Sequence, residues 1–178
     1  MPHVAVTAVG VDRPGIVAAV TGVLLQHGGN LEDTAMTRLG GHFAMVLVVE
    51  VPGDEDAVAL ERALDAEAAP LGLTVTVRPI EEVAGGHDDG DRWSVTVHGA
   101  DKPGIVHRVT TVLAGHGANV VDLATHQLTT EAGTGYVVLL DVLLPAGSDS
   151  AGLKAALDAL AADLGVDLHL RPDEADLL

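Results

Sequence analysis

Two kinds of hydrophobic pattern take turns along this chain: short apolar runs of strand length, and longer segments whose apolar positions recur at helical spacing. Residues 3–10 (HVAVTAVG) are Val-rich and read as a strand. Asp12-Arg13-Pro14-Gly15 breaks the run, and over residues 15–27 Ile16, Val20, Val23 and Leu24 fall on one helical face. Pro14 suits the opening of that helix, where no backbone N–H is needed, and Gly28-Gly29 suits its end. Residues 30–39 read as a strand, Gly40-Gly41 as a hairpin turn, and residues 42–51 (HFAMVLVVEV) as the strongest strand of this half. Pro52-Gly53 stops it. Residues 54–69 predict a second helix with three acids in its first turn, where the helix dipole favours them, and residues 71–80 a last alternating strand. The order is β-α-β-β-α-β.

The second half repeats the first. Aligned without gaps, residues 4–33 and 93–122 share 16 identities in 30 positions. Asp12-Arg13-Pro14-Gly15-Ile16-Val17 returns as Asp101-Lys102-Pro103-Gly104-Ile105-Val106, and Asn30 and Asp33 return as Asn119 and Asp122. A repeat of this length is a duplicated small domain, too long for a solenoid unit. It predicts strands at 92–99, 119–128, 135–144 and 165–171, and helices at 104–116 and about 149–164. Phe43 aligns with Tyr136 at an offset of 93 where earlier positions align at 89, so the second hairpin is four residues longer. The reading is therefore α+β: two ferredoxin-like βαββαβ domains, each an antiparallel four-stranded sheet with both helices on one face. The domains are residues 1–80 and 92–172, joined by an acidic linker at 81–91 and followed by an acidic tail at 173–178.

Composition narrows the function. Hydrophobic residues make up 48% of the chain, which excludes a disordered protein, and with one Trp, one Tyr and one Phe the cores must be Val, Leu, Ile and Ala. The net charge is −17, and no segment gathers Lys and Arg into a patch. Direct nucleic-acid binding and attachment to an anionic membrane are disfavoured accordingly. With no Cys, disulfides, thiolate metal sites and Cys nucleophiles are excluded. No stretch has the length of a membrane span and no signal peptide is read, so a cytoplasmic location is expected.

The repeated turn is the candidate for chemistry. A helix start offers unpaired N–H groups and the positive end of the dipole, which suits a carboxylate. Gly15 and Gly104 let a ligand approach the backbone, Asp12 and Asp101 can hold an ammonium group, and the amides of Asn30 and Asn119 offer both donor and acceptor. Together these fit a free α-amino acid. The same residues also fit an ordinary turn, with Asp as an ordinary N-cap.

A strand, then Asp-x-Pro-Gly-Ile, an amphipathic helix and Gly-x-Asn opening a strand resembles the ACT domain. Here the pattern is Asp12-Arg13-Pro14-Gly15-Ile16 with Gly28-Gly29-Asn30-Leu31, and again Asp101-Lys102-Pro103-Gly104-Ile105 with Gly117-Ala118-Asn119-Val120. Two such domains with no enzyme attached resemble the glycine cleavage system transcriptional repressor group. The resemblance implies small-molecule sensing, usually of amino acids, at sites formed where two ACT domains meet. It places Asp12, Asn30, Asp101 and Asn119 on the positions that hold the amino acid, with Pro14, Gly15, Ile16, Val17, Pro103, Gly104, Ile105 and Val106 around them. Serine-binding members carry a His two residues before the Asp; here Gly10 and Gly99 stand there, which argues against serine and leaves the smaller glycine.

Other motifs are discounted. Asp54-Glu55-Asp56 resembles a phosphatase string but sits at a helix start, away from a strand tip. The nine His are dispersed, and Asp88-Asp89-Gly90-Asp91 lacks the spaced ligands of a calcium loop. No catalytic constellation, cofactor or metal is expected. The reading is a non-catalytic regulatory protein that binds an amino acid such as glycine and modulates a partner protein or enzyme, as a homodimer or through pairing of its own ACT domains. The alternatives are a detached regulatory subunit of an amino-acid or one-carbon enzyme and a structural dimerisation adaptor.

Overall fold

In the computed structural model the chain divides into two units, Met1–Ala84 and Gly85–Leu178. The described residues are 2–53, 56–81, 90–130 and 133–173; most of the predicted linker and all but Asp173 of the predicted tail lie outside them.

The first unit runs β1 (His3–Val11), α1 (Ile16–Gln26), β2 (Asn30–Leu39), β3 (His42–Glu50), α2 (Ala57–Ala68) and β4 (Leu73–Ile80), and the second runs β5 (Asp91–Ala100), α3 (Ile105–Gly115), β6 (Asn119–Thr130), β7 (Gly133–Leu144), α4 (Ser150–Leu164) and β8 (Asp167–Pro172). The sheets are ordered β2-β3-β1-β4 and β6-β7-β5-β8. Every neighbouring pair is antiparallel. Both domains therefore have the predicted βαββαβ, ferredoxin-like, α+β fold.

Alternation decides which face is covered. In β1, Val4, Val6 and Ala8 are buried, as are Phe43, Met45, Leu47 and Val49 in β3, and these pack with Ile16, Val20, Val23 and Leu24 of α1 and Leu60, Leu64 and Ala68 of α2. The second unit repeats this with its own cluster, centred on Val95, Val97, Val109, Leu113, Val138, Leu140, Leu153 and Leu157. No polar side chain among the described residues is buried. Each fully buried Leu or Val contributes roughly 1.5–3 kcal/mol, so two apolar cores of this kind hold the units without aromatic bulk.

Several boundaries differ from the sequence reading, each for a local reason. The helix expected from residue 54 begins at Ala57, because Asp56 caps it: its Oδ1 accepts from Val58 N at 2.9 Å, so this acid stands before the first turn, and Asp54 and Glu55 lie outside the described residues. The strand expected from residue 71 begins at Leu73, because residues 69–71 form one 3-10 turn ended by Gly72 in the left-handed region. The strand expected from residue 165 begins at Asp167, since Gly165 is the left-handed cap of α4. Asp91, assigned to the linker, is already the first residue of β5 and pairs with Leu144. The extra hairpin residues lengthen the strands, so that β6 and β7 reach 12 residues each against 10 and 9 in the first unit.

Helix capping splits the helices into two pairs. Asp56 caps α2, and Asp149 caps α4, its Oδ1 accepting from Gly152 N at 2.8 Å. Replacing either by Ala is expected to cost about 1 kcal/mol of the stability of its own unit, measured by urea unfolding. No side chain caps α1 or α3.

Candidate functional site

Each uncapped helix starts from a glycine. Gly15 and Gly104 are the N-cap residues of α1 and α3, at φ 93° and 92°. That left-handed conformation is costly for any residue with a Cβ, so the repeated glycine has a backbone reason as well as an access reason. A Cβ built at either position meets nothing within 4 Å. The first helical bond closes only at Ala19 N to Gly15 O and at Arg108 N to Gly104 O. The preceding N–H groups thus face the open space in front of the helix, where the dipole favours an anion. Pro14, which suits the opening of the first helix by sequence, sits in the turn one residue before the N-cap, and Pro103 sits in the equivalent turn, where the repeat puts it.

The neighbouring side chains divide into core and corner. Ile16 and Ile105 are buried, so only their backbone can face a ligand. Val17 is exposed, and Val106 packs partly against the second core. Asp12 is positioned by its own N–H, which donates to Gly41 O at 3.0 Å. Its carboxylate accepts from Arg38 Nε at 2.6 Å. Asp101 Oδ2 accepts instead from Gln127 Nε2 at 2.7 Å. Arg38 and Gln127 occupy equivalent positions, 89 residues apart, so the two corners are built alike and charged differently. Sequence reading missed this pair, although extending the repeat alignment down the second strand would have exposed it.

The structure does not bring Asp12 and Asn30 of one unit together. Val11 and Leu39 both pair with His42 at one end of the sheet, whereas His3 and Asn30 both pair with Glu50 at the other. The span of β2 then separates the corner from Asn30 by about 25–30 Å. The same holds for Asp101 and Asn119, since Ala100 and Leu128 pair with Gly135, and Asn119 with Leu143. Asp, Asn and helix start of one and the same unit therefore do not converge. Asn30 lies in an open groove of about 440 Å³ between α1 and β2, with Ala18, Thr21, Gly22, Leu25 and Leu31. Asn119 lies in its counterpart of about 500 Å³, with Thr110, Thr111 and Ala114.

Gly10 and Gly99 have a steric explanation. A Cβ at Gly10 would stand 2.5 Å from Gly72 O, and one at Gly99 2.6 Å from Val166 Cγ1. The adjacent strand-entry segment closes the space that a larger residue needs. Gly10→Ala is expected to destabilise the first unit by about 1–3 kcal/mol, read as a lower urea midpoint at unchanged slope.

For metal binding, the described residues assemble one group of donors, His3, Glu32 and Glu50, outside both corners. No helix among the described residues is long and apolar enough to cross a membrane.

Comparison with known proteins agrees with the geometry. The ACT domain family matches residues 3–78 and 94–171. The glycine cleavage system transcriptional repressor of Escherichia coli (strain K12) is 28% identical over 165 residues, covering 91% of this chain and 85% of the relative. A protein of unknown function from Galdieria sulphuraria superposes with a TM-score of 0.81 at 30% identity, over 97% of this chain and 98% of its own. The crystal structure of a protein proposed to be a glycine cleavage system transcriptional repressor superposes with a TM-score of 0.72 at 21% identity over 97% of each chain, a likeness of fold. The chain belongs to the ACT domain family, as a tandem ACT regulatory protein related to the glycine cleavage system transcriptional repressor.

Proposed function

We propose that this chain is a non-catalytic sensor of a small α-amino acid, glycine foremost, that takes the ligand at the corner after the first strand of a unit and modulates a partner protein or enzyme in control of glycine cleavage or its transcription. The observation that carries this reading is the capping contrast: α2 and α4 are closed by Asp side chains, while α1 and α3 start bare behind a glycine in both copies. A ligand carboxylate would take the free N–H groups, and the nearby Asp would take the ammonium.

The Asn then comes from a second copy of the chain. β2 is an edge strand, exposed along its whole length, and shows Leu31, Met36 and Leu39 to solvent. Such edges invite pairing. Two β2 edges joined antiparallel about a twofold axis set the Asn30 end of one strand beside the Leu39 end of the other, next to the corner of Asp12. Equivalent pairing of β6 edges offers Asn119 to Asp101.

The two corners are expected to differ. At Asp12 an incoming ammonium must displace the Arg38 guanidinium, whereas at Asp101 it displaces a neutral amide. An exposed ion pair is worth about 0–1 kcal/mol, so the handicap is up to about fivefold in affinity. Calorimetry of the full chain against the twenty amino acids tests the reading. Glycine is expected to bind with Asp101→Ala removing the tighter sites, Arg38→Gln tightening the weaker ones and Gln127→Arg weakening the tighter. Silence of the whole panel up to about 10 mM, weaker than about −3 kcal/mol, would sink the sensor claim.

A further inference from the structure

We propose that His3, Glu32 and Glu50 form a binding site for one divalent transition-metal cation of the zinc class in the first unit. Nothing in the amino-acid reading above requires it, and it stands whether or not the corners bind glycine.

The three residues come from three adjacent strands. His3 of β1 and Glu50 of β3 are directly paired. On β2, Asn30 pairs with Glu50 and Leu31 with Val49, but Asp33 pairs with Val48, so Glu32 is the extra residue of a β-bulge. A bulge re-aims its residue, and Glu32 Oε2 lies 3.1 Å from His3 Nε2. One ligand atom from each of the three residues can be chosen so that all lie within 4.8 Å of one another. Metal bonds of about 2.0–2.2 Å with tetrahedral angles place neighbouring ligands about 3.3 Å apart; His3 and Glu32 already stand at that spacing, and the set as a whole closes in from within 4.8 Å.

The surroundings suit a cation. His3 and Glu50 alternate with the buried Val4 and Val49, on the sheet face opposite the helices. The His3 side chain is only 12% exposed and that of Glu32 44%. Two carboxylates are gathered around one imidazole in a chain of net charge −17. Imidazole with carboxylates selects Zn²⁺, Mn²⁺, Fe²⁺, Co²⁺ or Ni²⁺ over soft Cu(I), and three protein ligands leave an open position for water.

The second unit supplies an internal control. Its bulge recurs between Val120 and Asp122, and Arg92 and Asn119 both pair with Leu143. The three positions there hold Arg92, Val121 and Leu143, with no metal ligand among them. The duplicated fold kept the bulge, and only the first copy carries donors, so the expected stoichiometry is one ion per chain.

The test is calorimetric titration of the untagged full chain with Zn²⁺, repeated with Co²⁺ and its visible absorption. One equivalent per chain is expected to bind saturably, with His3→Gln and Glu32→Gln each weakening the affinity by roughly tenfold or more. His169→Ala should leave the isotherm unchanged, although His98 and His169 line a depression of about 230 Å³ on the second unit. Circular dichroism melts check that each variant is folded, and Glu32→Gln, at an exposed position, supplies the answer should His3→Gln unfold. No saturable binding by the wild type, an unchanged isotherm in Glu32→Gln, or loss of binding in His169→Ala alone would each overturn the proposal.

Discussion

The constraint on which this structure turns is the crossover between β1 and β2. Both strands are antiparallel to β3 and so run parallel to each other, and parallel strands cannot be joined by a tight turn. The chain must leave β1 at one end of the sheet, cross the helical face as α1 and re-enter at the other end. Three consequences follow. The helix start and Asp12 lie at one end and Asn30 at the other. β2 becomes an edge. And α1 must begin abruptly at the strand exit, where a glycine with left-handed backbone makes the bend and leaves the helix without a side-chain cap.

Duplication makes it possible to separate what the fold requires from what each copy does with it. The corner glycine, the close approach at Gly10 and Gly99, and the bulge in β2 and β6 occur twice with the same geometry. These are properties of the fold. Arg38 against Gln127, and His3, Glu32 and Glu50 against Arg92, Val121 and Leu143, occupy the same framework positions with different chemistry. Function is most informatively sought in such differences, because the backbone around them is held constant.

Fold and repeat were legible in the sequence because they rest on short-range periodicity and on turn residues with mechanical roles. Apolar runs of strand length marked β1 and β3, alternation marked β4, and helical spacing marked α1 down to the buried Ile16, Val20, Val23 and Leu24. Helix starts were less legible: an acid such as Asp56 reads equally as cap or first turn until its hydrogen bond is seen. For the candidate site, the sequence offers residue types and leaves their spatial arrangement unread. Asp12 and Asn30 are only 18 positions apart in sequence, yet the crossover sends them to opposite ends of the sheet. His3, Glu32 and Glu50 are spread over nearly fifty positions and meet only through strand register, for which no local pattern exists.

Magnitudes explain why the separation of Asp and Asn points to assembly. A carboxylate at a helix start gains about 0.3–1 kcal/mol, up to about 2 when partly buried. An exposed ammonium–carboxylate pair adds about 0–1. Their sum falls short of even the roughly 4 kcal/mol of millimolar binding. A ligand as small as glycine can reach about 7 kcal/mol only if nearly every heavy atom is engaged and shielded from water. One open corner offers too few partners and too much solvent for that. A second chain laid along the β2 edge would supply both deficits, since it adds the Asn amide and covers the corner, so that each charged contact works in a drier medium. Ligand and second copy then stabilise each other, and a sensor of this build would report its ligand through assembly more than through a change inside either unit.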